Sequence, residues 1–270
     1  MNIRKTYDEL KFTDDFLFCR ILSSNLGLCR QLLEIILNRR IKSVALATAQ
    51  KSEQILIDGK GIRLDVYIEG EDEVYNIEMQ TSSNPNLAKR ARYYQGMNDV
   101  HMLQRAADYK QLKPAYIIFI CMFDMFGKGI PIYTFSNKCA EYPELELGDE
   151  AYKIFVNPFG KTEGMTDSLK NFLNFLINGK ADDSFTKSLE ENVEKAKGSE
   201  EWRSEFMTLA MKLDEEREIG REEGRAEGES NVRKRIFATL LQNMSEEEAA
   251  QISMATPEEI AEVKREMKID

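Results

Sequence analysis

Histidine occurs once in the 270 residues, tryptophan once, and the four cysteines stand far apart with no C-x-x-C pair among them. A histidine-rich catalytic or zinc centre is thereby excluded, and neither a zinc knuckle nor a disulfide scaffold has the residues it needs. Thiols this scattered fit a reducing compartment. No segment approaches the roughly 18 consecutive apolar residues of a membrane span, and the opening stretch MNIRKTYDELKFTDD has no apolar signal-peptide core. The expectation is a cytoplasmic protein with no membrane partner. No G-x-G-x-x-G or Walker A pattern occurs, so no nucleotide cofactor is expected. Positive charge is short as well: 37 Lys and Arg face 47 Asp and Glu, for a formal charge of -10 and a pI near 5.0. That balance argues against a uniform polyanion binder, because phosphate contacts need local Lys or Arg.

The deficit is uneven. Residues 84–113 hold Lys89, Arg90, Arg92, Arg105, Lys110 and Lys113 against only Asp99 and Asp108, while acidity gathers near 141–150 and after 190. Hydrophobic residues at 42% and charged residues at 31% are ordinary for a globular chain, and the length suits one sizeable domain plus an appendage. Residues 1–198 read as the main domain, 199–230 as a charged helical segment with a glycine-periodic linker, and 231–270 as a small C-terminal helical module.

Within the main domain, TDDFLFCRILSSNLGLCRQLLEIILN repeats apolar residues at helical spacing, with Leu28, Leu32, Leu33, Ile36 and Leu37 as the clearest stripe. IKSVALATAQKSEQILIDGKG reads as an irregular approach to the first core strand. GIRLDVYIEG and EVYNIEMQ alternate at a period of two and form a hairpin, LAKRARYYQGMNDVHMLQRAADY is helical, and PAYIIFICMF is a buried strand. GIPIYTFSNKC and AYKIFVNPF are further strand candidates, and MTDSLKNFLNFLING is a helix. The order predicts a mixed α/β core around a sheet. Beyond it, GREEGRAEG places Gly220, Gly224 and Gly228 four residues apart, the pattern of a linker or a marginal helix. Ser245 and Thr256-Pro257 mark the starts of two short terminal helices.

The hairpin carries the chemistry. If it folds symmetrically about Glu71 and Asp72, Asp65 falls opposite Glu78, with Asn76 and Gln80 on the same face as Glu78. Two carboxylates on adjacent strands suit a magnesium-type ion, which prefers oxygen ligands and keeps positions for water and phosphate. The backbone carbonyl of Met79, between Glu78 and Gln80, is a further candidate oxygen. A solvent-facing hairpin with ordinary polar residues is the alternative reading of the spacing.

Taken in order, TDDFLFCRIL, RLDVYI, NIEMQ and KRARYYQ, with the later GREEGRAEG and helical tail, resemble the PD-(D/E)xK nuclease superfamily. The likeness is to its transposase-associated branch, the Rpn recombination-promoting nuclease family. The resemblance implies a restriction-endonuclease-like core: a mixed central sheet flanked by helices, here with a C-terminal helical appendage. It implies a DNA endonuclease using Mg²⁺, with Mn²⁺ as a substitute, and linked to recombination or mobile elements. By the same likeness Asp65 and Glu78 match the acidic ligands, and Gln80 stands where the wider superfamily has lysine. Glu34 resembles an additional acidic residue near the metal, Asp15 matches an N-terminal motif or caps the helix, and Gln95 resembles the glutamine after the paired tyrosines. Lys89, Arg90, Arg92 and Tyr94 are the residues expected to meet DNA. Homodimerisation suits a two-stranded substrate, although the sequence shows no interface. Two other readings stay open: an inactive DNA-binding protein on the same fold, prompted by Gln80, and an oligomeric interaction protein using the C-terminal module.

Overall fold

The computed structural model describes residues 5–53, 62–83, 85–103 and 108–267, excluding the side chains of 46–53 and 62–65. It divides into two compact units, Met1–Arg203 and Ser204–Asp270. No helix among the described residues is long and apolar enough to cross a membrane.

The first unit opens with helices α1 (Asp15–Ser24) and α2 (Leu26–Leu37). Asn25 separates them and caps α2, its side-chain oxygen accepting from the Leu28 N–H at 3.0 Å. Six strands follow: β1 (Leu46–Glu53), β2 (Ile62–Glu69), β3 (Val74–Gln80), β4 (Ala115–Cys121), β5 (Ile132–Phe135) and β6 (Ala151–Val156). They form one mixed sheet in the order β1-β2-β3-β4-β6-β5. β1, β2 and β3 run antiparallel in turn, β3-β4 and β4-β6 are parallel, and β5 returns antiparallel to β6. β1 lies where the sequence reads as an irregular approach. LATAQKSE has no apolar alternation to announce a strand, and its place comes from ladder pairing with β2.

Helix α3 (Leu87–Met102) is the crossover that parallel β3 and β4 require. It sends Leu87, Ala91, Tyr94 and Met97 into a core shared with Tyr67, Val74, Ile117, Phe119, Cys121 and Phe155. In the ladder Val74, Asn76, Glu78 and Gln80 pair with Ala115, Ile117, Phe119 and Cys121, so the even-numbered face of β3 is the one α3 covers. On the opposite face Tyr75, Tyr116 and Tyr152 form a row of stacked rings, 5.2 and 4.8 Å between centroids. α4 (Asp167–Asn178) and α5 (Ser184–Lys197) complete the unit.

A 41-residue helix, α6 (Glu200–Leu240), then runs through Gly220, Gly224 and Gly228 without a break. Of the two readings of this stretch, linker or marginal helix, the structure has the helix. Arg217–Asp214, Arg221–Glu218 and Arg225–Glu229 pairs, spaced three or four residues apart, support the glycine stretch. α7 (Glu246–Ser253) and α8 (Pro257–Met267) begin at Ser245 and Thr256-Pro257 as the sequence suggests, and they close a small core around Phe237, Ala249 and Val263.

Candidate active site

The β2-β3 hairpin has the symmetric register. Val66 pairs with Ile77, Tyr67 with Asn76, Ile68 with Tyr75 and Glu69 with Val74, a ladder centred on Glu71 and Asp72. Continued by one residue, it sets position 65 against position 78. The Asp65 side chain lies outside the described residues.

Glu78 is fully buried, a rare environment for a carboxylate that the local structure must offset. The offset comes from Arg90, one turn into α3, whose Nη2 donates to Glu78 Oε2. The Arg90 Nη1 lies 3.4 Å from Gln80 Oε1, and the Gln80 amide donates to the Met79 carbonyl at 3.0 Å. The guanidinium carbon stands 5.3 Å from the Tyr94 ring centroid and 5.4 Å from that of Phe119, within cation–π range. Tyr94, Phe119 and Phe155 are themselves stacked, at 6.2 and 5.5 Å. Burial lowers the Arg90 pKa, but the Glu78 charge, Tyr94 and the hydrogen bonds to both together hold it above its ordinary value. Glu78, Met79, Gln80 and Arg90 therefore form one polar constellation over an aromatic floor.

Beside it lies a second polar group. Asn76 Nδ2 donates to Asn98 Oδ1 at 3.1 Å, and Gln95 Nε2 donates to Asp99 Oδ1 at 3.3 Å. Asn76, Gln95 and Asn98 are buried, and Asn76 Oδ1, Gln95 Oε1 and Asn98 Nδ2 have no hydrogen-bond partner among the described residues. Burial pushes the Asp99 carboxyl above its usual range. Sequence reasoning singled out Gln95 and placed Asn76 on the Glu78 face, but it missed Asn98, which helical spacing from Tyr94 sets on the same buried stripe.

The other expected residues are dispersed. Lys89 and Arg92 are exposed, with Tyr93, on the outward face of α3. Tyr94, expected at a DNA surface, is instead only 6% exposed and packed on Phe119, because its position three residues after Ala91 points it at the sheet. Arg90 turns inward to Glu78 rather than outward with its two basic neighbours. Glu34 serves its own helix end: its Oε1 accepts from the Ile41 N–H at 3.0 Å and from Arg30 Nε at 3.2 Å. Although burial works against it, these hydrogen bonds leave its carboxyl below the ordinary pKa. Asp15 opens α1 and accepts from the Cys19 thiol at 3.4 Å. The thiols of Cys29 and Cys121 are both pushed up to about 12 by burial, which leaves them protonated rather than nucleophilic.

Among the described residues, no three His, Cys, Asp or Glu side chains cluster to hold a metal. The available donor set fits a hard divalent ion in kind: the Glu78 carboxylate, the Met79 carbonyl and the Gln80 amide oxygen are all oxygen donors on one strand end. No curated protein and no solved structure matches the chain. The family model described as PD-(D/E)XK nuclease family transposase matches residues 12–138, from the entry to α1 through the hairpin and α3 to just beyond β5. The mixed sheet flanked by helices is consistent with that nuclease fold, and over this segment, a little under half of its length, the chain is similar to the PD-(D/E)XK nuclease family transposases.

Proposed function

We propose that the protein is a metal-dependent DNA endonuclease, hydrolysing phosphodiester bonds in a recombination or mobile-element setting. The observation that carries this reading is the Glu78 carboxylate, buried without residual exposure on the strand end that the register sets against position 65. A buried carboxylate is costly to keep, and sites that retain one commonly use it. In this reading Asp65, Glu78 and the Met79 carbonyl hold the ion, Mg²⁺ or Mn²⁺. When bound, the ion supplies Lewis acidity toward the phosphate and lowers the pKa of attacking water. The chain's own residues do the rest. Gln80 hydrogen-bonds the water or a phosphate oxygen, and Gln95, with its buried Oε1, orders the polar group beside Glu78. Lys89 and Arg92 on the outward face of α3 neutralise DNA phosphates, with the exposed Tyr93 next to Arg92. Homodimerisation rests only on the two-stranded nature of the substrate.

A second reading, a DNA-binding protein without turnover, is favoured by the neutral Gln80. Supercoiled plasmid incubated with Mg²⁺, Mn²⁺ or chelator separates the two. Wild type is expected to nick or linearise the plasmid only with metal, and Asp65→Ala and Glu78→Ala to be inactive. Metal-dependent cleavage retained by both purified variants removes these residues from the site. A folded wild type that binds DNA but never cleaves leaves the second reading.

A further inference from the structure

Gln80 leaves a chemical gap. A neutral carboxamide cannot offset the negative charge that grows on a phosphodiester under attack, as the lysine of a D…ExK pattern would. The side chain that reaches this gap comes from α3. Arg90 touches both Glu78 Oε2 and Gln80 Oε1, and its guanidinium lies against the rings of Tyr94 and Phe119. Two acceptors and two aromatic faces place the head group beside Glu78, within reach of a group bound there. Its buried Nε has no hydrogen-bond partner among the described residues, which leaves one donor of the fork unspent. A residue serving only the outer DNA surface would not be built this way: Lys89 and Arg92, either side of it, are exposed.

We propose that Arg90 is the cation of the cleavage site. It neutralises Glu78 while no metal is bound, and when an ion takes over that carboxylate it turns its guanidinium to the scissile phosphate, in the role lysine has in D…ExK. The inference rests on the metal-dependent nuclease reading above. Arginine keeps its proton throughout, so its part is electrostatic and no proton passes through it.

The full-length wild type, R90Q, R90K and the double variant Q80K/R90Q decide the matter through two readouts. In calorimetric titration with Mn²⁺ alone, R90Q is expected to bind about tenfold more tightly, because the ion no longer competes with a resident guanidinium for Glu78. In single-turnover plasmid cleavage at saturating enzyme, R90Q is expected to lose about 10²–10³ in rate, the usual cost of one charge-stabilising donor. R90K should recover part of that loss, and Q80K/R90Q should recover at least a tenth of the wild-type rate by returning a cation to position 80. Unchanged Mn²⁺ affinity with an unchanged rate overturns the proposal. So does a loss seen only as weaker DNA binding with a salt slope reduced by about one, which would make Arg90 a groove residue. If R90Q does not fold, the double variant carries the test, and a folded Q80K/R90Q without cleavage overturns it. A wild type that cleaves nothing defeats the nuclease reading itself. The titration then judges Arg90 alone: tightened Mn²⁺ binding in R90Q upholds it as the counter-ion a metal must displace, and unchanged binding rejects it.

Discussion

If the protein is the proposed nuclease, Glu78 is the residue on which stability and activity most directly oppose one another. Its carboxylate is taken fully out of water and paired with a guanidinium that is itself about one-third exposed. A fold under pressure only for stability would do as well with a leucine there, since a buried ion pair seldom beats an apolar pair of equal volume. Glu78→Gln keeps the shape, removes the charge and leaves Arg90 a neutral acceptor. It is expected to cost about 1 kcal/mol in urea unfolding while abolishing metal-dependent cleavage. Glu78→Ala removes the acceptor as well and is expected to cost about 2–3 kcal/mol. A Glu78→Gln enzyme that cleaves at the wild-type rate would show that the charge is structural only.

At the level of elements, the legible parts were those whose pattern and packing agree. The alternation allows a hairpin symmetric about Glu71 and Asp72 without fixing it against a one-residue slip, and the ladder takes the symmetric register. β4 announced itself as the apolar run AYIIFIC, buried on both faces. β1 was illegible because its residues carry no period-two signal and its pairing is decided by β2, a tertiary choice. α5 carries a signal of its own, with Phe185, Leu189, Val193 and Ala196 recurring at helical spacing behind the Asp183 capping box. The inward turn of Arg90 was hidden by its neighbours, since a Lys-Arg-x-Arg run reads as a solvated face. Only helical phase against Leu87, Ala91 and Tyr94 sets position 90 at the edge of the buried stripe. The glycines of α6 follow the same logic from the other side. A Cβ built at Gly220, Gly224 or Gly228 meets nothing within 4 Å, so among the described residues no close approach repays the penalty these glycines impose on the helix. Replacing all three with alanine is expected to stabilise α6 by about 0.5–1 kcal/mol per site, read as helical circular dichroism retained to higher temperature. A loss of helicity or a change in association state would instead assign the glycines to an intermolecular contact. The terminal helices give a pH signature of their own. Glu259 accepts from Arg233 at 2.7 and 3.0 Å and from the Thr256 N–H at 2.9 Å, and these bonds, the Arg233 pair foremost, lower its pKa from 4.5 to about 2. The folded form holds its proton less tightly than the unfolded one, so the stabilisation is complete above about pH 4.5 and disappears as pH falls through about 2. Backbone hydrogen exchange in α7 and α8 of the full chain should accelerate across that window, and Glu259→Gln should show the faster exchange already at neutral pH.

For the molecule as a whole, charge decides how a nucleic acid could approach. A chain with ten more acidic than basic residues repels DNA on balance, so a productive encounter needs a face where basic side chains point outward. Ion pairs with Glu73, Asp72 and Asp8 engage Arg39, Lys42 and Arg203, while Arg90 is committed to Glu78. The outward side of α3, with Lys89 and Arg92, is different: it lies on the helix that carries Arg90 to Glu78, so a phosphate backbone laid along it passes the candidate site. Each phosphate neutralised contributes about -0.9 to the slope of log affinity against log salt, so two such residues predict a shallow slope of about -2. Measured with the Glu78→Gln variant to prevent turnover, duplex binding should show that slope, and Lys89→Ala should reduce it by about one while weakening affinity alike for unrelated sequences. A slope near zero would remove this face of α3 from DNA recognition, and a slope several-fold steeper would require cations beyond those that α3 presents.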